Sequence, residues 1–167
     1  AAAFIQFSQS RAIADCDVDA PNLHIVTEKT GECRTKEFIG SKKAVIDATL
    51  CVHCGNCAEK CRFNAISDKG RSYGVDEYHC EGCGVCQYVC PNDAVRLVED
   101  VAGKQELYLG DTVFSTATLK MSRGNSGKLV TAVKLDMLKH APETELAIVD
   151  GSPGIGCPVI ALSLIHI

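Results

Sequence analysis

The chain has 167 residues, a formal net charge of −4, 46% hydrophobic residues, 5% aromatics and no Trp. That length holds one ordinary domain or two small ones, and the mild acidity gives no electrostatic case for nucleic acid, so no nucleic-acid partner is expected. No apolar run reaches the length of a membrane span, and the apolar opening A-A-A-F-I-Q-F lacks a basic leader, so neither a signal peptide nor membrane association is expected.

Taken in order, residues 1–10 read as the tail of a helix. Residues 12–17, A-I-A-D-C-D, form a short apolar strand that runs into acids. A strand ending in Asp is how open α/β sheets present ligand-binding groups. Residues 18–26 continue as a loop through Pro21 into a second apolar stretch. Residues 27–43 are polar and alternate around 33–39, as an exposed strand does.

Residues 44–100 form a separate module. Its apolar ends, 44–46 and 95–98, are expected to pair as strands. The segment D-K-G-R-S-Y-G at 68–74 is a turn-rich connection with a hairpin near Lys69 and Gly70. Short helices are expected after Cys57 and Cys86.

Beyond residue 100, strands are expected at 106–109 and 112–118, then a flexible loop S-R-G-N-S-G at 122–127. Residues 128–140 carry apolar side chains at 129, 130, 133, 135, 137 and 138, the pattern of an amphipathic helix. Lys139 and His140 suit its C-terminal dipole, and Pro142 ends it. A buried-type strand follows at 146–149, then D-G-S-P-G-I-G at 150–156. The domain organisation is therefore 1–43, an inserted module 44–100, and a continuation 101–167 in which strand, helix and strand resume an α/β sheet.

The chemistry concentrates in the module. Cys51, Cys54, Cys57 and Cys61 form C-x2-C-x2-C-x3-C, and Cys80, Cys83, Cys86 and Cys90 repeat it at an offset of 29 residues. Self-similarity of this kind marks two copies of one supersecondary unit. A structural zinc site takes four ligands, commonly as two separated pairs, and eight cysteines in two quartets exceed it. A disulfide framework belongs to short secreted chains; here there are eleven cysteines and no secretion signal. Gly55 and Gly84 leave room beside a bound group.

The double run resembles that of the bacterial two-cluster ferredoxins. The resemblance implies two [4Fe–4S] clusters with crossed ligation. Cys51, Cys54, Cys57 and Cys90 would hold one; Cys80, Cys83, Cys86 and Cys61 would hold the other. Each fourth cysteine would open a helix pointing toward the other cluster. Pro91 follows the second run as in that family, whereas Arg62 replaces the first proline. Eight thiolates holding iron imply a reducing cytoplasm.

A second resemblance covers nearly the whole chain. D-C-D-V-D-A-P-N-L-H, the cluster module, G-N-S-G-K-L-V and I-V-D-G-S-P-G-I-G-C-P-V-I occur in this order. Together they resemble the MinD-superfamily P-loop ATPases with an inserted ferredoxin domain, relatives of the Mrp-type cluster carriers and the nitrogenase iron protein. The implied fold class is an α/β P-loop (MinD/ParA-like) sheet interrupted by an α+β ferredoxin-like module with two [4Fe–4S] clusters. The resemblance implies MgATP as a further ligand of the intact protein. Asp17 would orient the hydrolytic water, Asp15 would lie near Mg²⁺, and Asp150 would be the Walker B acid. Residues 151–156, with Gly151, Pro153 and Gly154, would form switch II.

The family's phosphate-binding loop would lie immediately before residue 1. G-N-S-G-K at 124–128 does not replace it, because position 122 is Ser and Leu129 follows Lys128. With no initiator Met and a final S-L-I-H-I unlike the family's continuation, the chain is expected to be an internal fragment whose last residues are not native. Such a fragment would bind clusters without hydrolysing ATP.

Two functions follow. The first is an ATP-coupled iron–sulfur protein, homodimeric when intact, that gates electron flow or delivers a cluster or metal cofactor to an acceptor. The second is a simple ferredoxin-type electron carrier serving a redox partner protein. Cys16 and Cys157 are expected to be small buried hydrophobes and Cys33 to be structural. His53 and His79, beside ligands, are placed either to tune a cluster by hydrogen bonding or on the surface.

Overall fold

The computed structural model describes residues 2–7, 11–141 and 143–163. They form two compact units, one of Ala1–Phe38 with Val101–Ile167 and one of Ile39–Asp100. The second unit starts five residues ahead of the boundary read from the sequence.

The first unit is built on a five-stranded sheet. Its strands are β1 (Arg11–Cys16), β2 (Glu32–Ile39), β7 (Val101–Leu109), β8 (Val113–Leu119) and β9 (Leu146–Gly151), in the order β2-β7-β8-β1-β9. β1 runs parallel to both neighbours, β8 and β9, while β7 pairs antiparallel with β8. Five of the six β1 residues are buried, the mark of a strand covered on both faces.

Alternation along β1 sends Ala12, Ala14 and Cys16 to one face and Ile13 to the other. The small side chains let helix α4 (Ser126–His140) lie close, packing Leu129, Val130, Val133 and Met137 against Ala117 and Leu119. Each such buried Leu or Val contributes about 1.5–3 kcal/mol. On the opposite face Ile13, Phe114 and Ile148 pack with Ile5 of helix α1 (Ala2–Phe7) and Leu23 of a 3-10 turn, Leu23–Ile25.

β2 is an exposed edge strand that carries charge, with Arg34 Nε 3.2 Å from Glu32 Oε1; charge there discourages edge pairing with another chain. The last helix, α5 (Cys157–Ser163), follows β9.

The expected helix at 128–140 begins two residues earlier, and Leu135 and Leu138 fall off its buried face. His140 Nδ1 lies 2.8 Å from the carbonyl of Asp136, one turn back. Pro142, expected to stop this helix, lies outside the described residues, as do residues 1, 8–10 and 164–167.

The second unit shows the 29-residue repeat in its backbone. Left-handed residues occur as the pairs His53 and Gly82, Gly55 and Gly84, and Asn64 and Asp93. Helices α2 (Asn56–Glu59) and α3 (Val85–Tyr88) are equivalent, each following its left-handed glycine. Strands β3 (Lys43–Ile46) and β6 (Val95–Val98) pair antiparallel, as do β4 (Ile66–Asp68) and β5 (Tyr73–Val75). Under the offset β3 corresponds to β5 and β4 to β6. Each pair thus joins the opening strand of one repeat to the closing strand of the other. The crossed backbone bonds Asp47 N–H to Ala94 C=O (2.8 Å) and Asp76 N–H to Ala65 C=O (2.7 Å) follow the same rule.

The helices expected after Cys57 and Cys86 instead contain them. Cys61 and Cys90 close the helical turns rather than open new helices. Three residues between the third and fourth cysteines leave room for one turn of helix, and the fourth cysteine falls just past its C-cap, Lys60 or Val89.

Candidate cluster cavities and acidic strand ends

Strand exchange between the repeats brings the cysteines together in mixed sets. Cys51, Cys54, Cys57 and Cys90 line one cavity with Ile46, Tyr73 and Val95. Cys61, Cys80, Cys83 and Cys86 line the other with Ala44, Phe63 and Leu97. The two cavities are alike in size, as the repeat requires. In each run the second cysteine, Cys54 or Cys83, is exposed and the third, Cys57 or Cys86, is buried.

The unit's core is thin. Ala44, Ala65, Ile66 and Val95 pack beside the buried sulfurs of Cys57, Cys80 and Cys86. A core so poor in large side chains fits a fold completed by what its cysteines bind. Among the described residues no three Cys, His, Asp or Glu side chains converge on a point as the donors of a single ion must. The eight sulfurs line the two cavities.

Backbone amides aim at three of the sulfurs. Ala65 N–H donates to Cys61 Sγ at 3.4 Å and its repeat equivalent, Ala94 N–H, to Cys90 Sγ at 3.3 Å; Ala44 N–H donates to Cys80 Sγ at 3.4 Å. Burial pushes the Cys57 and Cys86 thiols up from their ordinary range, each opposed by a neighbouring amide. Alone these sulfurs resist ionisation; a bound cation supplies the compensating charge.

The histidines turn elsewhere. His53 Nε2 lies 3.0 Å from Asp68 Oδ1 and His79 Nδ1 lies 2.9 Å from Asp76 Oδ2, and neither contacts a sulfur. Of the two placements open to His53 and His79, the structure has the surface one, and the donors to sulfur are backbone amides, which no residue identity announces. Cys157 is exposed rather than buried, and Cys33 is exposed on edge strand β2. Cys16 is buried as expected, and burial pushes its thiol up to about 12.

In the first unit, the acids sit at the C-terminal ends of neighbouring parallel strands. Asp15 on β1 is in register with Asp150 on β9, and Cys16 with Gly151. Asp15 is fully buried; its Oδ2 accepts from Leu23 N–H at 2.9 Å and its Oδ1 from Asp17 N–H at 3.3 Å. Ser152 Oγ donates to Asp17 Oδ1 at 2.9 Å, which ties the end of β1 to the segment after β9. A Cβ on Gly151 would come 2.2 Å from Leu162 Cδ1 of α5. Pro153 and Gly154 are exposed in the bend before α5. Lys128 lies exposed in the first turn of α4.

Burial raises the Asp15 pKa above its ordinary 3.8, the amides of Leu23 and Asp17 pull it back, and Asp150 pushes it up again. The folded unit therefore holds this proton more tightly than the unfolded chain does. Stability falls as pH rises from 3.8 to the raised value and stays level above it. Asp15→Asn is accordingly expected to flatten that acidic slope, and to lower stability at pH 7 because the Asn amide nitrogen cannot accept one of the two backbone N–H groups that Asp15 satisfies. Thermal unfolding across the pH range checks both.

Paired cysteine-lined cavities in a twofold-repeated α+β unit define a dicluster ferredoxin-like protein. Residues 44–97 match the 4Fe-4S dicluster domain. An uncharacterized protein of Methanocaldococcus jannaschii, MJ0578, is 34% identical over 149 residues, covering 88% of this chain and 50% of the relative. The uncharacterized ferredoxin MJ0155 of the same organism is 30% identical over 120 residues, 71% of this chain and 76% of the relative. Its pyruvate synthase subunit PorD is 32% identical over 76 residues, 45% of this chain and 81% of the relative.

The chain belongs to the 4Fe–4S dicluster ferredoxin family and is an iron–sulfur-binding, ferredoxin-like protein. It spans half the length of MJ0578. Among the described residues no helix is long and apolar enough to cross a membrane.

Proposed function

We propose that the chain carries electrons one at a time on two [4Fe–4S] clusters. Cys51, Cys54, Cys57 and Cys90 hold one cluster, and Cys80, Cys83, Cys86 and Cys61 hold the other. The observation that carries this reading is the mixed lining of each cavity, three sulfurs from one run and the fourth from the other. When bound, each cluster supplies a site that accepts and releases a single electron. The chain's part is to hold thiolates at fixed corners, direct the amides of Ala44, Ala65 and Ala94 at sulfur charge, and keep water off the inner faces. The partners are a low-potential redox protein as donor and a second protein as acceptor. Anaerobic titration of the reconstituted chain with a low-potential reductant should consume about two electrons, one per cluster. Failure to take up electrons with the iron fully bound would defeat the carrier reading.

A second reading rests on the register of Asp15 with Asp150 and on the bond from Ser152 to Asp17. Carboxylates at neighbouring parallel strand ends are suited to Mg²⁺ and an attacking water. In a longer, dimeric form carrying a phosphate-binding loop, Asp15 and Asp150 would serve MgATP, Asp17 would orient water, and the segment of Gly151, Pro153 and Gly154 would move with the nucleotide. Hydrolysis would then gate electron flow or cofactor delivery. In that longer protein, Asp17→Ala should cut ATP turnover by about a hundredfold or more while iron content stays unchanged. An unaltered rate would remove this reading and leave the carrier.

A further inference from the structure

The repeat that builds the two cavities does not furnish them alike. Lys43 Nζ, half-buried, donates to the carbonyl of Cys80 at 2.5 Å, while the amide of the next residue, Ala44, donates to the sulfur of that same cysteine. The backbone of Lys42 meets Gly82 so closely that a Cβ there would lie 1.9 Å from the Lys42 carbonyl oxygen. Residues 42–44 thus clamp the second cysteine loop and hold an ammonium group against it. At the offset of 29 residues the counterpart of Lys43 is Ser72, which brings no charge to the first loop.

A carboxylate stands near the first site instead, because Asp68 bonds to His53, which stacks on the cavity-lining Tyr73 with ring centroids 4.9 Å apart. Its counterpart at the second site is Leu97. Glu81 opposes Lys43 at the second site, but Glu81 and Asp68 are both exposed and Lys43 is not. Water and salt screen the two exposed carboxylates more than the half-buried ammonium group, which leaves Lys43 as the charge that distinguishes the sites.

We infer that Lys43 makes the two sites inequivalent, so that the cluster held by Cys80, Cys83, Cys86 and Cys61 is the more easily reduced and holds the electron at rest. Reduction adds one electron from a low-potential protein donor and makes or breaks no bond. The added negative charge is stabilised where the ammonium group is held. The inference rests on the two-cluster reading above.

The test uses the full reconstituted chain and potentiometric titration followed by electron paramagnetic resonance. In a Cys54→Ala background, which keeps the second cluster, Lys43→Gln should weaken reduction about tenfold, a fall of about 59 mV for one electron. In a Cys83→Ala background, which keeps the first cluster, Lys43→Gln should leave the potential in place. Ser72→Lys supplies the reciprocal change and should raise the first cluster alone. Equal shifts at both sites, or none in any background with iron bound, would overturn the inference and leave the carrier function standing. A chain that binds no iron would overturn both.

Discussion

Cys90→Ala should empty the site of Cys51, Cys54 and Cys57 rather than the site of its own run. Iron should fall from about eight to about four atoms per chain. The reason lies in the strand exchange. Because β3 pairs with β6 and β4 with β5, each closing strand carries its preceding cysteine across to the other repeat's cavity. Cys61→Ala should do the converse. Double substitutions make the crossing readable. Cys54→Ala with Cys90→Ala should lose no more iron than either alone, since both residues face one cavity. Cys83→Ala with Cys90→Ala should lose both clusters, since those residues face different cavities. If the second pair still retains half the iron, ligation follows the runs and the crossed assignment is wrong.

Gly82→Ala should destabilise the second cluster loop far more than the same change at either glycine the motif draws attention to. Gly82 has φ +65, and its Cβ would overlap the Lys42 carbonyl oxygen at 1.9 Å, an atom fixed in backbone. Left-handed strain and the forced backbone shift together cost about 3 kcal/mol or more. At Gly55 the nearest atom would be Tyr73 Oη at 3.3 Å, and at Gly84 Leu97 Cδ1 at 3.6 Å, both ends of side chains that can yield. Those substitutions carry the left-handed strain alone, about 1 kcal/mol. The equivalent of Gly82 in the first repeat is His53, which shows that this loop admits a side chain where β3 does not press on it. Iron release to a chelator should be biphasic in Gly82→Ala, with about half lost early. A time course like that of the unsubstituted chain would contradict the clamp.

The cysteine spacing was enough to read two sites of four sulfurs each, since sulfur ligands at short intervals leave few alternatives. Strand ends at 44–46 and 95–98 and the hairpin near Gly70 were also legible, because apolar runs and turn residues act locally. The parallel neighbours of β1 and the register of Asp15 with Asp150 were not written in any short pattern; they come from distant segments meeting in one sheet. Gly82 escaped notice because its constraint is an approach by Lys42, forty residues away in sequence. Between the two placements open to His53 and His79, only the structure could choose the surface. Proximity to ligands in sequence says nothing of where a ring turns, and Asp68 and Asp76 accept both. Leu135 and Leu138 fitted a helical period but lie beyond the face that β1 and β8 cover.

The most direct test is iron and acid-labile sulfide per chain after anaerobic reconstitution. The expected result is about eight of each, in a brown protein whose spectrum bleaches on reduction. A chain that folds to the same structure with zinc alone, or with neither iron nor sulfide bound, would contradict the claim that its two sets of four sulfurs exist to hold clusters.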